Sequence, residues 1–192
     1  MTRLLRSFSP WLVFLLASRF TSLPVAVALG LLASLVVLAW AAAQKQVHLL
    51  EVVGLGYFVV LAGVLAIGHP GHSAAWSHYA QLGSHLVLTL VIFGSILANR
   101  PFTEAYARET APPQVWHTQW FRDLNRRISG VWGLAFLAGD VSLALAAAVS
   151  DRPGLLRVIV PFGALYLAFR YTARQQAQAA HNGAQPADPQ VQ

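Results

Sequence analysis

Several long stretches of this chain are apolar on every face, and the polar residues fall between them rather than alternating with them. Residues 23–43, 49–68, 81–98, 128–149 and 155–171 run almost without charge, and residues 9–20 form a shorter stretch of the same kind. A bilayer core about 30 Å thick needs around 20 helical residues. The five longer stretches meet that length or come within tilt and local thinning of it. The shorter stretch makes about 18 Å of helix, so a short tilted span or a re-entrant half-helix is expected there. Strands of a membrane barrel would alternate in polarity over about ten residues, and these stretches do not alternate. The expected fold is all-α: a polytopic transmembrane helical bundle with five full spans plus a short N-terminal helix.

Composition agrees with that pattern. Of 192 residues, 56% are hydrophobic and 10% charged, whereas a soluble domain carries about 25% charged residues. The mean hydropathy is +0.54. The length suits one bundle, expected over residues 1–174, with an interfacial connector at 99–127 and a disordered tail at 175–192 that is rich in Gln, Ala and Pro and lacks aromatics. The basic opening followed by apolar residues 11–17 has no clear small-residue cleavage site, so it is read as a retained helix. There is no cysteine, which excludes disulfides and thiolate metal sites.

The net charge is +6, and 12 of the 13 basic residues are Arg. They flank apolar runs, so anionic headgroups rather than nucleic acid are the expected counter-charge. If all six segments cross, Arg3, Arg6, Lys45, Arg100, Arg108, Arg122, Arg126, Arg127, Arg170 and Arg174 lie on one side, and Arg19, Arg152 and Arg157 on the other. That bias predicts both termini on the cytoplasmic side.

Asp140 is the residue least at home in this pattern. It interrupts the run 128–149, and a carboxylate at mid-membrane costs roughly 2.5–3.5 kcal/mol on insertion scales. Steps of three and four back from Asp140 pass Phe136, Gly133 or Trp132, Ser129 and Asn125, so Asn125, Ser129 and Asp140 share a stripe that should face the interior. At the helical rise, Asp140 sits about 13 Å from the outer end of its helix and His85 about 6 Å inside the outer end of the fourth stretch. His85 and Arg157 are therefore the expected partners of Asp140. Glycines in the spans, Gly56 and Gly63 on one face of the third stretch and Gly130, Gly133 and Gly139 in the fifth, are expected to mark close helix packing.

The connector reads NRPFTEAYARETAPPQVWHTQWFRDLNRR. Thr103 is expected to cap a short helix with Glu104 in its first turn and Phe102 and Tyr106 on one face. After Pro112–Pro113, the residues Trp116, Trp120, Phe121, Arg122, Arg126 and Arg127 suit the headgroup layer, so they are the expected lipid-binding or partner-docking surface.

Other chemistry finds no motif. His69 and His72 form HxxH and His78 and His85 are seven apart, but no Cys or carboxylate joins them, so no metal or haem is expected. No GxSxG is present, and no Ser–His–acid spacing points to nucleophilic catalysis. Glu51 lies near the inner end, far in depth from Asp140, and His48 is at that same end. No catalytic residue and no cofactor is expected.

The opening segment carries Phe8, Pro10, Leu12, Phe14, Ala17 and Phe20, a basic turn precedes the third span, and Trp116, Leu124, Asn125, Trp132 and Phe136 lead into the fifth. This layout, over roughly residues 8–172, resembles the intracellular septation protein A family, small inner-membrane proteins linked to cell-envelope synthesis and division. The connector here is longer and more polar than that pattern. The resemblance implies a non-enzymatic role in envelope maintenance or septation, exerted through lipid or through membrane proteins of envelope synthesis or division, and it says nothing of oligomeric state. The residues alone leave two other readings open. One is a small transporter or channel using Asp140 with His85 or Arg157; the other is a membrane enzyme on a lipid substrate.

Overall fold

A computed structural model describes residues 2–68, 74–148 and 154–183. Among these the chain forms seven α-helices and no strand: α1 Thr2–Phe20, α2 Leu23–Ala43, α3 Leu49–Gly68, α4 Ala74–Leu97, α5 Phe102–Arg108, α6 Gln119–Ala148 and α7 Val160–Gly183. A single 3-10 turn, Pro113–Val115, precedes α6, and a π-helical turn, Leu155–Ile159, leads into α7. Five of the helical segments are long and apolar enough to cross a membrane: α2, α3, α4, α6 and the π-turn with α7. The chain is thus a multi-pass helical membrane protein, as the apolar runs predict.

The lipid-facing surface is visible in what stays exposed. Val25, Leu32 and Val36 on α2, Val59 and Val60 on α3, and Leu167 on α7 all point outward. The opposite stripe of α2 buries Ala26, Gly30, Ser34 and Ala41, residues small enough for neighbouring helices to approach closely. At Gly30 that approach is essential, because a Cβ there would stand 2.6 Å from the Phe58 ring. The glycines singled out from sequence divide. Gly133 and Gly139 are packed against Phe93 and His85, whereas Gly56, Gly63 and Gly130 have open space where a Cβ would go. Spacing places a glycine on a face but not that face against a neighbour.

The N-terminal helix starts at Thr2 rather than at residue 9, and its 19 residues make about 28 Å of helix. Its aromatic stripe packs against α3, α5 and α6. Leu4, Phe8, Trp11 and Phe14, spaced by three and four, are all buried. Phe8 stacks on Trp132 at 4.9 Å and on Phe136 at 5.6 Å, with Phe102 edge-on at 6.3 Å. Trp11 and Phe14 pack on Phe58 of α3. Pro10 sits inside α1 and cannot donate to the Arg6 carbonyl four residues back; the Ser9 hydroxyl donates to that oxygen instead, at 2.7 Å.

Pro161 poses the same problem in α7 for the Arg157 carbonyl. The backbone widens into the π-turn, with Val160 N–H reaching back to Leu155. The freed acceptors are taken by side chains from other helices: Ser142 Oγ donates to Leu156 O at 2.6 Å and Arg19 to Arg157 O at 2.7 Å. A tail is expected from residue 175, but α7 continues to Gly183. Ala and Gln, which fill this stretch, are good helix formers. The rest of the expected tail, 184–192, lies outside the described residues.

The connector also departs from expectation. Its first turn packs into the bundle, while residues 105–120 stay exposed or half-buried. Phe102, Thr103 and Glu104 are buried. Ser95 Oγ accepts from Phe102 N–H at 3.1 Å, while Thr103, expected as the cap, donates its hydroxyl to Asn125 O at 3.0 Å and shares a hydrogen bond with Ser129 Oγ at 2.9 Å. Pro101 occupies the cap position, with no side-chain cap bond.

Candidate functional site

Polar side chains gather at three depths of the bundle. At mid-depth, α4 and α6 lie side by side and Thr89 donates to Asp140 Oδ2 at 2.6 Å. The other oxygen, Oδ1, is buried without a partner. One hydrogen bond offsets only part of the desolvation of an ionised carboxylate. Asp140 is turned inward, as expected, but its partner is not the expected one. Among the described residues no ion pair joins it to His85 or Arg157 within 4.0 Å. His85 stands one turn from Thr89 on α4 and packs its ring on the backbone of α6, where a Gly139 Cβ would lie 2.6 Å from Nδ1. That nitrogen is buried and makes no hydrogen bond.

The expected stripe on α6 is real but serves two purposes. Ser129 and the Asn125 carbonyl hold Thr103 and so dock α5, and Asn125 Nδ2 bonds back to Phe121 O at 2.8 Å. Only Asp140 of the stripe faces α4.

Where α1 ends and α7 begins, Arg19, Gln81, His85 and Arg157 surround a closed space of about 10 Å³ between Leu15, Leu143, Pro161 and Phe162. Such a space has room for at most about one water. Arg157 also reaches Ala146 O at 3.4 Å, and its Nε is buried without a partner. The structure therefore brings His85 and Arg157 together, but around a cavity whose walls do not include Asp140.

The most connected polar network lies at the opposite, Arg-rich end and was not expected. Ser7 Oγ donates to Glu51 Oε1 at 2.5 Å, and His48 N–H donates to Glu51 Oε2. The His48 ring lies between two acids, with Nδ1 at 3.5 Å from Glu51 and Nε2 at 3.0 Å from Glu109. Arg3 pairs with the other Glu109 oxygen at 3.0 Å. Tyr106 stacks on His48 with ring centroids 4.5 Å apart, and burial pushes its phenol above the ordinary tyrosine range. The chain Ser7–Glu51–His48–Glu109–Arg3 ties the first turns of α1 and α3 to the end of α5. From sequence, Glu51 lies too far in depth to pair with Asp140 and His48 lies at the wrong end to join His78 and His85 as a ligand. The signal for the network was His48 three residues before a carboxylate in the first turn of an apolar span.

The expected docking surface is only partly outward. Phe121 is 3% exposed and belongs to the interior, because the first turn of α6 rests on the bundle. Trp116 folds back on the connector, donating from Nε1 to Ala111 O at 3.0 Å under the Arg108 guanidinium. Trp120 is 52% exposed, and Arg122, Arg126 and Arg127 are exposed beside it. No cluster of three metal-ligating side chains occurs among the described residues. His69 and His72 lie outside the described residues.

Compared with protein-family models, curated proteins and solved structures, the chain matches none.

Proposed function

We propose that this membrane protein serves cell-envelope maintenance or septation in a bacterial inner membrane, with both termini cytoplasmic, and acts by contact rather than by catalysis or transport. The observation that carries the reading is the build of its Arg-rich end. The Arg3–Glu109–His48–Glu51–Ser7 chain and the Thr103–Ser129 bond anchor the connector. The first turns of α6 then present Trp120, Arg122, Arg126 and Arg127 outward from that fixed base. Exposed aromatic and Arg side chains at headgroup depth suit anionic lipid and the cytoplasmic edges of other membrane proteins. The small closed space around His85 offers little to a solute-transport reading.

Photo-crosslinking in living cells tests this. A crosslinker placed at residue 120 should capture membrane proteins of envelope synthesis or division. Arg122→Ala, Arg126→Ala and Arg127→Ala together should reduce that capture about tenfold without lowering the amount of folded protein. Adducts with phospholipid alone, together with unaltered division in cells lacking the chain, would overturn the proposal. The transporter reading keeps one observation of its own, the unpartnered Asp140 Oδ1. Proton or solute flux into liposomes that is abolished by Asp140→Asn would favour it.

A further inference from the structure

Arg19 and Arg157 come together at the end of the bundle opposite the Arg-rich face, held there by backbone chemistry rather than by an acid. Pro161 leaves the Arg157 carbonyl without its helical donor, and Arg19 binds that oxygen at 2.7 Å. The Arg157 guanidinium turns to Ala146 O at 3.4 Å. These two contacts use a minority of the five N–H donors on each guanidinium. Among the described residues no carboxylate lies within 4.0 Å of either group. The two cations repel one another, and Arg157 stands in the first turn of a helix, where the dipole favours negative charge. Arg157 Nε and His85 Nδ1 are buried and unpartnered in the same wall.

Two neighbouring cations with spare, forked donors and no acid beside them among the described residues fit an anion with several oxygens, and phosphate matches a guanidinium bidentately. We propose that Arg19 and Arg157 form a binding site for a phosphate group. The closed space of about 10 Å³ is too small for a phosphate, so the group sits outside it, against the exposed Arg19. Leu15, Phe162 and Leu165, which line the same space, are apolar side chains against which acyl or prenyl carbons can lie. That flank favours a phosphate carried on a lipid over a free ion. The assignment does not depend on the contact role proposed for the other end.

The test uses the full chain in nanodiscs of phosphatidylcholine doped with phosphatidic acid, with lipid retention read by native mass spectrometry. Arg19→Gln and Arg157→Gln should each lower retained phosphatidic acid at least tenfold. Arg174→Gln, at an exposed arginine outside both proposed surfaces, should leave it unchanged, and Arg19→Lys should recover part of it. Because Arg157→Gln can disturb the π-turn, Arg19→Gln decides the matter by itself. Retention equal to that of the unaltered chain in Arg19→Gln, or a loss matched by Arg174→Gln, overturns the site. A second arm adds inorganic phosphate at millimolar concentration. No displacement supports a lipid source; complete displacement supports the same site with a free anion as its occupant.

Discussion

Asp140 and His85 show how much a single polar side chain depends on the atoms opposite it. Thr89→Val would leave both Asp140 oxygens without a partner, and unfolding in mixed detergent and dodecyl sulfate should show a loss of about 1–3 kcal/mol. Asp140→Asn keeps an acceptor for Thr89 and removes the charge. It should change stability by less than about 1 kcal/mol in the same measurement, and a larger loss would mean that the ionised group has a partner outside Thr89. At Gly139 the contact is steric, since a Cβ would stand 2.6 Å from His85 Nδ1. Gly139→Ala should destabilise by about 1–3 kcal/mol, and most of that loss should vanish when His85→Ala is added, because the two changes share one contact. That Asp140 faces inward was legible in the sequence, since a lone acid in an apolar run has nowhere else to go. Thr89 was not legible: a hydroxyl in an apolar run satisfies itself on its own backbone as readily as on a neighbour, and only the register of α4 against α6 decides between the two.

Among the elements, the helices were far more legible than their ends and joints. The spans follow from hydrophobic length, whereas the joints rest on side chains distant in sequence. Two spans end with a residue in the left-handed region, Lys45 at φ 55° and Asn99 at φ 54°. In both, the next two N–H groups turn back on the helix: Lys45 and Gln46 on Ala42 and Ala41, Asn99 and Arg100 on Ile96 and Ser95. Asn tolerates that backbone, but Lys does not favour it. Lys45→Gly should therefore raise stability by about 1 kcal/mol, read as a later midpoint in the same unfolding series; an earlier midpoint would show that the Lys45 side chain contributes more than its backbone costs. The connector resisted the sequence reading for a related reason. Its aromatic and Arg content suits an interfacial helix, and nothing local shows that Thr103 has Ser129 to bind or that Glu109 has His48 and Arg3.

At the scale of the whole molecule, α1 changes the picture most. It carries Arg3, Arg6, Pro10 and Arg19, yet its aromatic stripe packs against α3, α5 and α6. Phe8→Ala removes a ring that touches Trp132, Phe136 and Phe102 and should cost about 3–5 kcal/mol. Val36→Ala, on the lipid face of α2, should cost less than about 1 kcal/mol. Comparable losses at the two positions would mean that α1 is peripheral. Bulk hydropathy, all-round apolarity and the Lys/Arg distribution were enough to establish that lipid is the solvent, that the fold is helical and where five spans run. Those are properties of each segment against its surroundings, and the energies involved are summed over about twenty residues apiece. The tertiary structure alone decided that the aromatic stripe of α1 meets α3, α5 and α6, that Asp140 meets Thr89, that Glu51 and Glu109 share His48, and that Arg19 meets Arg157. A helix wheel gives the direction in which a side chain leaves its own axis. Which atom it finds there depends on the register and rotation of another helix, set by close packing of many apolar side chains at once.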